Sequence, residues 1–475
     1  MHFTSHLTDY LYANADNFGT KSAIVTAERT LSWQELARET SSAAAGLSRL
    51  VKSDSQQLVG ILMSNTWEFV VAYLAILQTG HIAVPIDVIF KELEIEAITR
   101  QVPPALIIAD KANRRRLPAG AKAVELTDLY KKPSGKEKSI RLDPKKQAAI
   151  LLFTSGTTGR PKVVPYTHAM NSWNIETCSK VWDWTSDDSQ LISLRLSHMY
   201  GIVMGLAGSL YHGNTMYLQD RFNEEDTLNL LASGKVTMFP HGPLVFARLL
   251  GAAERKRWDL SRVRLFISGS GPLPPAVWQK FKDRFGAEIL EVYGSNETGR
   301  IASNLLDERI PGSPGRPLPD VSLRFSDEGE VLVKSPGVFP GYWQNEQLTK
   351  SQLEPDGYWH TGDLGELADG RVVLKSRLVE RIRRQGYSVS PRDVEWALYT
   401  NPAIKDVTVV GIQEPGQAND QLVYFMTTDL NEEQIRVFCK TALPSIWRPD
   451  KIILLDELPR TRSSKVNIPA LKALI

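Results

Sequence analysis

Apolar positions along the chain fall into short runs, and the segments between runs carry apolar residues at helical spacing. Leu58 to Met63 is such a run, Trp67 to Gln78 repeats with a helical period, Gly80 supplies a stop, and Ile82 to Pro85 is apolar again. The pattern predicts strand, helix and strand, with glycine closing the helix. Leu93 to Gln101 and Ala105 to Ala109 repeat the alternation, and Val236 to Phe239 and Val263 to Ile267 read as further buried strands. Such alternation builds parallel sheets with helices on both faces. Lys131 to Lys146, rich in charge with Pro133 and Gly135, reads as a solvated connection ahead of the apolar Ala148 to Phe153.

Beyond Gly329 the pattern changes to short alternating strands, Glu330 to Lys334 and Arg371 to Lys375, with Asp369-Gly370 as a hairpin turn. They predict a small antiparallel region. After Arg377 come a helix around Asp393 to Tyr399, strands at Val407 to Gly411 and Leu422 to Thr427, a helix from Glu432 to Leu443 and a strand at Lys451 to Leu455. This order suits an independent α+β domain of about a hundred residues. The expected fold is therefore α/β: a large multi-sheet N-terminal domain over 1–376 with an antiparallel β subdomain, and a small C-terminal α+β domain over 378–475.

Composition narrows the class. The 475 residues exceed the ~250–300 at which one core stops growing, so more than one domain is expected. Apolar residues at 42% and charged residues at 23% are ordinary for a folded protein. A net charge of +2 offers no broad electrostatic footprint for nucleic acid or anionic membrane. Cys178 and Cys439 lie far apart without Cys-x-x-Cys spacing, which favours a reducing, cytoplasmic setting over a disulfide framework or a zinc site. The start of the chain lacks the basic stretch and apolar run of a secretory leader, so none is expected. Leu196 to Gln219 contains no Asp, Glu, Lys or Arg. Its four glycines and its polar His198, Ser209, His212 and Asn214 nevertheless predict a buried element beside a cavity, with no membrane span.

The sharpest local chemistry is Thr154-Ser155-Gly156-Thr157-Thr158-Gly159-Arg160-Pro161-Lys162. Two glycines let backbone N–H groups turn towards an anion, the hydroxyls add donors, and Lys162 adds positive charge. This reads as a phosphate cradle. Lys162 stands three residues after Gly159, so the spacing differs from the common nucleotide-triphosphatase loop.

These residues resemble the phosphate loop of the acyl-adenylate-forming superfamily, which includes acyl- and aryl-CoA synthetases, peptide-synthetase adenylation domains and firefly luciferase. Further motifs follow in the family's order across nearly the whole chain. Tyr293-Gly294-Ser295-Asn296-Glu297-Thr298 resembles the segment whose tyrosine stacks on adenine and whose glutamate helps hold magnesium. Asn296 stands where the family usually has a threonine that contacts the α-phosphate. Asp363, in His360-Thr361-Gly362-Asp363, resembles the ribose ligand, and Arg377 resembles an arginine that contacts ribose or phosphate. Ser268-Gly269-Ser270-Gly271 resembles the small-residue stretch between adenine and acyl group.

The resemblance also implies an acyl pocket and a moving domain. His198 corresponds to an aromatic gate between acyl pocket and thiol tunnel, and Met199, Tyr200, Val203, His241, Gly271 and Ser295 are expected to line that pocket. The segment lacks the aspartate with which amino-acid-activating relatives hold an α-amine, which favours an uncharged acyl or aryl tail. Lys465 resembles the catalytic lysine, preceded by Ser464 in place of the usual glycine. Residues 376–388 resemble the hinge and the loop of a mobile lid domain. Val379 replaces the usual aspartate or lysine, and Gly386 is placed at the thiol channel. Arg381, Arg383 and Arg384 are candidates to meet a CoA phosphate or an acidic carrier protein.

Together these imply a two-step ligase using ATP and Mg2+: a small-molecule carboxylic acid becomes acyl-AMP with release of pyrophosphate, and a thiol, CoA foremost, then takes the acyl group. Two other readings remain open at this level. One is a stand-alone enzyme loading a carrier-protein phosphopantetheine; the other is a non-catalytic nucleotide- or acyl-binding relative.

Overall fold

The structure is a computed structural model that describes residues 6–131, 143–154, 162–253, 256–380, 382–384, 387–413, 419–461 and 465–475. It is a mixed α/β protein with a large multi-sheet N-terminal domain and a smaller C-terminal one. A six-stranded sheet is built from Ala123–Val124, Leu106–Ala109, Leu58–Leu62, Ile82–Pro85, Ala148–Thr154 and Lys162–Thr167, in that spatial order. Its pairs are parallel except the last, where Thr154 faces Lys162 across an antiparallel ladder. The predicted phosphate cradle is thus the connection between two hairpin strands.

Helix Trp67–Gln78 shows why the two large sheets come together. Every residue from Phe69 to Leu77 is buried, so the helix is apolar around its whole circumference and must be enclosed. Thr66 caps its start, accepting from the Phe69 N–H at 3.4 Å. Gly80 follows its end with φ +78°, a backbone shape for which glycine has no steric cost. Around it one apolar core joins the six-stranded sheet, through Val59, Ile61 and Ile108, to a nine-stranded sheet, through Ile24, Met216 and Ile301. The predicted strands at Val236 and Val263 begin two residues later, as Met238–His241 and Leu265–Ser268. Both valines are buried, yet they precede the paired backbone: an apolar run records burial, not pairing.

Leu196 to Gln219 contains a wide helical stretch at Tyr200–Ala207, its continuation Gly208–His212 and a strand Thr215–Leu218. Among the described residues no helix is long and apolar enough to cross a membrane. Strands Ser322–Phe325, Glu330–Lys334, Trp359–Ala368 and Arg371–Arg377 form the expected antiparallel sheet. Asp369 and Gly370, both with positive φ, make its tight turn.

Past Arg377, Ile404–Ile412, Gln421–Thr428 and Lys451–Leu454 form a three-stranded sheet, with helices Pro391–Leu398 and Glu432–Ala442. Among the described residues, each buried apolar cluster lies wholly before or wholly after Arg377.

Candidate active site

Strands Ile289–Ser295 and Gly299–Ser303 run back to back through a tight turn. Ser295 Oγ accepts from the backbone N–H groups of Glu297 at 3.2 Å and Thr298 at 3.3 Å, so this side chain, expected in the acyl wall, is engaged in shaping the turn. At Gly294 a Cβ would fall 2.1 Å from the Gly299 carbonyl oxygen, a distance no side chain allows. The turn holds Tyr293 and Glu297 in place, with Asn296 half-buried between them.

Tyr293 reaches the antiparallel sheet, donating its hydroxyl to Asp363 Oδ2 at 2.7 Å. Arg377, the register partner of Asp363, donates Nε to Oδ1 at 2.8 Å. Each carboxylate oxygen keeps a further lone pair for an incoming hydroxyl. Burial first, then the Asp363 charge, push the Tyr293 phenol well up, while Asp363 holds Arg377 more firmly protonated. A neutral ring and a fixed ion pair therefore stand side by side.

Glu297 accepts the Tyr342 hydroxyl at 2.9 Å, and Lys162 Nζ sits 5.2 Å from the centre of the Tyr342 ring. Lys465 enters the same neighbourhood from the C-terminal domain. It is reached by solvent, yet protein surrounds it on the scale over which charges act. Burial and then the Arg377 charge lower its pKa, against the raising pull of Asp363, Glu297 and Glu380. Arg377, Asp363, Glu297 and Glu380 thus all lie within range of the Lys465 charge.

On the acyl side, Asn65 ties down the segment before His198, donating to the Leu194 carbonyl at 2.7 Å and accepting from the Leu196 N–H at 2.9 Å. His198 Nε2 lies 2.8 Å from Asp87 Oδ2, outside good hydrogen-bond angles, and Arg195 Nη1 lies 3.1 Å from Oδ1. Asp87 is 2% exposed. Burial alone would raise its carboxyl, but His198, the Ile89 N–H and Arg195 outweigh burial and hold it below its usual value. Met199 and Tyr200 are buried beside the site and Val203 belongs wholly to the main core. A Cβ on Gly269 would stand 3.2 Å from the Tyr200 ring, and Ser270 holds a left-handed φ of +71°. Gly271 stands nearer Pro243, at 3.9 Å from its hypothetical Cβ. His241 Nδ1 accepts the Gly242 N–H at 2.8 Å, which leaves Nε2 to carry the proton, and burial pushes its pKa down to about 3.

Ser155, Gly156, Thr157, Thr158 and Gly159 of the cradle lie outside the described residues, as do Arg381, Gly386 and Ser464; its Thr154 and Lys162 frame the hairpin ends. Within the basic cluster, Arg384 spends its fork on Asp450, at 2.8 and 2.9 Å, which removes it as a free contact for a phosphate. Asp87, Tyr342 and Arg300 belong to this neighbourhood and were not expected from sequence. Asp87 and Tyr342 lack any local motif, and Arg300 is a single basic residue behind a recognised one.

A family model described as AMP-binding enzyme matches residues 11–343, and one described as AMP-binding enzyme C-terminal domain matches 393–465. The mitochondrial malonate–CoA ligase of Homo sapiens is 28% identical, over 97% of this chain and 91% of its own. A long-chain-fatty-acid–CoA ligase of Bacillus subtilis is 30% identical, over 69% of this chain and 61% of its own. MatB from Rhodopseudomonas palustris in its ATP-bound crystal structure superposes with a TM-score of 0.91 at 27% identity, over 99% of both chains. The apo structure of the same protein gives 0.81 at 26% identity, again over 99% of both chains. The chain therefore superposes more fully on the ATP-bound structure than on the apo one.

Proposed function

Because the chain belongs to the AMP-binding enzyme family, we propose a division of labour among its residues in an ATP-dependent acid–thiol ligase. The observation that carries it is that Lys465 lies within range of the charges of Asp363, Arg377 and Glu297. In the first step an oxygen of the substrate carboxylate attacks the α-phosphorus of ATP. The bond to the bridging oxygen breaks, and pyrophosphate leaves with the electron pair. Carboxylate and triphosphate repel each other, and the Lys465 ammonium lowers that barrier by standing near both. Tyr293 and the Asp363–Arg377 pair orient adenine and ribose. The cradle from Thr154 to Lys162 takes the phosphates.

Glu297 suits magnesium. Among the described residues no group of three or more His, Cys, Asp or Glu forms a protein-only cage, so the donor set fits an ion that draws most of its oxygens from phosphate and water. When bound, the ion neutralises triphosphate charge. Tyr342 orients the Glu297 carboxylate for that task.

In the second step the thiol sulfur attacks the acyl carbon, the bond from that carbon to the phosphate oxygen breaks, AMP leaves, and the thiol proton passes to solvent. CoA is the acceptor in this reading, in line with relatives named as CoA ligases. We place the domain boundary at Arg377, with 1–376 holding the nucleotide and 378–475 turning so that Gly386 replaces Lys465 at the site. His198, seated on Asp87, borders the acyl group. The buried free thiols of Cys178 and Cys439 suit a reducing, cytoplasmic compartment.

ATP–pyrophosphate exchange and thioester formation from supplied acyl-AMP separate the steps. Lys465→Ala should cut exchange by about a hundredfold or more and spare thioester formation; Gly386→Trp should do the reverse. Equal losses in both steps for both variants would refute the division.

A further inference from the structure

Arg300 takes no part in the steps above, yet its surroundings call for a ligand. It stands on strand Gly299–Ser303, pinned by its own N–H to Asn174 Oδ1 at 2.7 Å, and is 3% exposed. Its guanidinium carbon lies 5.3 Å from the centre of the Tyr200 ring, and Nη1 lies 2.9 Å from Met199 Sδ. These are the two residues that follow the His198 gate. Nε and Nη2 are buried without an acceptor. Its charge reaches the Tyr166 and Tyr200 hydroxyls and the Cys178 thiol, whose burial pushes each of them up, the thiol to about 12.

A guanidinium is a cation with five donors and no acceptor, and here it stands in a largely apolar setting. A thioether is a weak acceptor, and buried donors without partners are rare because desolvation without compensation is costly. Nε and Nη2 form one edge of the planar fork, the edge that receives a carboxylate through two parallel hydrogen bonds. The missing partner has the charge and shape of a carboxylate.

We propose that Arg300 sets the substrate class: the acid is dicarboxylic, and its second carboxylate docks on the Nε–Nη2 edge while the first faces the α-phosphate. This revises the uncharged tail expected from the missing aspartate. It rests on the ligase reading but reaches beyond it, because the relatives' names span a dicarboxylic and a long-chain acid and do not choose between them. A fatty tail would leave the cation buried and unpaired.

The test uses the full chain with matched acids, succinate against butyrate and glutarate against pentanoate, measured by ATP–pyrophosphate exchange and by CoA thioester formation. The wild type should prefer each dicarboxylate. Arg300→Met should lower kcat/KM for the dicarboxylates by about a hundredfold or more, the loss expected on truncating one partner of a buried charge pair. It should leave the monocarboxylates unchanged or improved, an exchange of preference that a merely structural role would not produce. Arg300→Lys keeps the charge without the fork and should fall between, which covers a Met variant that does not fold. A wild-type preference for the monocarboxylates, or equal losses for both members of each pair, overturns the assignment. Absence of exchange with every acid overturns the ligase reading itself.

Discussion

Glu291 should make the stability of the protein fall as pH rises through neutrality. Its carboxylate is 6% exposed and accepts the Gly312 N–H at 3.0 Å and the Leu273 N–H at 3.3 Å. The opposing charge is Arg392 on helix Pro391–Leu398, whose guanidinium lies 4.6 Å from the centre of the Trp396 ring and whose Nε meets no acceptor. Burial pushes the Glu291 carboxyl from 4.5 up to about 7, outweighing the two N–H groups and Arg392. The native protein therefore holds more protons than the unfolded chain between these values. The contribution is complete below pH 4.5 and is lost as pH rises through 7. At about 1.4 kcal/mol per tenfold in the proton equilibrium, the loss is about 3 kcal/mol. Glu291→Gln removes the titration. Its amide satisfies one of the two N–H groups, so absolute stability should drop, but the difference between pH 4.5 and 7.5 should shrink by about 3 kcal/mol relative to wild type. Urea unfolding followed by tryptophan fluorescence at the two pH values measures this difference. Equal pH dependence in wild type and variant would refute the reasoning.

Asp363→Asn leaves Arg377 without its counter-charge and trades an acceptor oxygen for a donor; it should raise the KM for ATP about tenfold or more, read in exchange kinetics. Gly312→Ala adds strain of about 1–2 kcal/mol at its left-handed φ in any domain arrangement. Its new Cβ would also stand 2.9 Å from the Trp396 ring in this arrangement alone, so exchange should fall more than thioester formation, and Trp396→Leu should recover the difference.

Sequence made the elements legible where one physical cause dominates. Helix Trp67–Gln78 is apolar on every side, and strand Glu330–Lys334 and the Asp369-Gly370 turn follow from local patterning and backbone preference. Candidate nucleotide contacts could be named because they sit in contiguous motifs. Residues joined only by the fold could not. Asp87 meets Arg195 across 108 positions of chain, and Tyr342 meets Glu297 across 45. Arg300 escaped for another reason: arginine is ordinarily a surface residue, and nothing in its neighbours announces that tertiary packing buries it. Ser295 adds a structural task that its motif does not announce, its hydroxyl accepting two backbone N–H groups of its own turn.

The contacts between the two parts of the chain bear directly on how Lys465 could arrive and leave. Ser390 Oγ donates to the Lys375 carbonyl at 2.6 Å, Trp396 stands over Gly312, and Arg392 feels Glu291. No apolar cluster of the described residues spans Arg377, so turning the C-terminal domain exposes no shared core. Burying Arg392 beside Glu291 costs desolvation that their attraction only partly offsets, which leaves such a contact directional but weak. Domain interfaces without a shared apolar core favour relative motion by default. The proposed division of labour asks for the same property: in it, one cation sits at the α-phosphate while a bond to phosphorus forms, and then makes room for a thiol. A lid sealed by apolar packing would stabilise the first arrangement and obstruct the second.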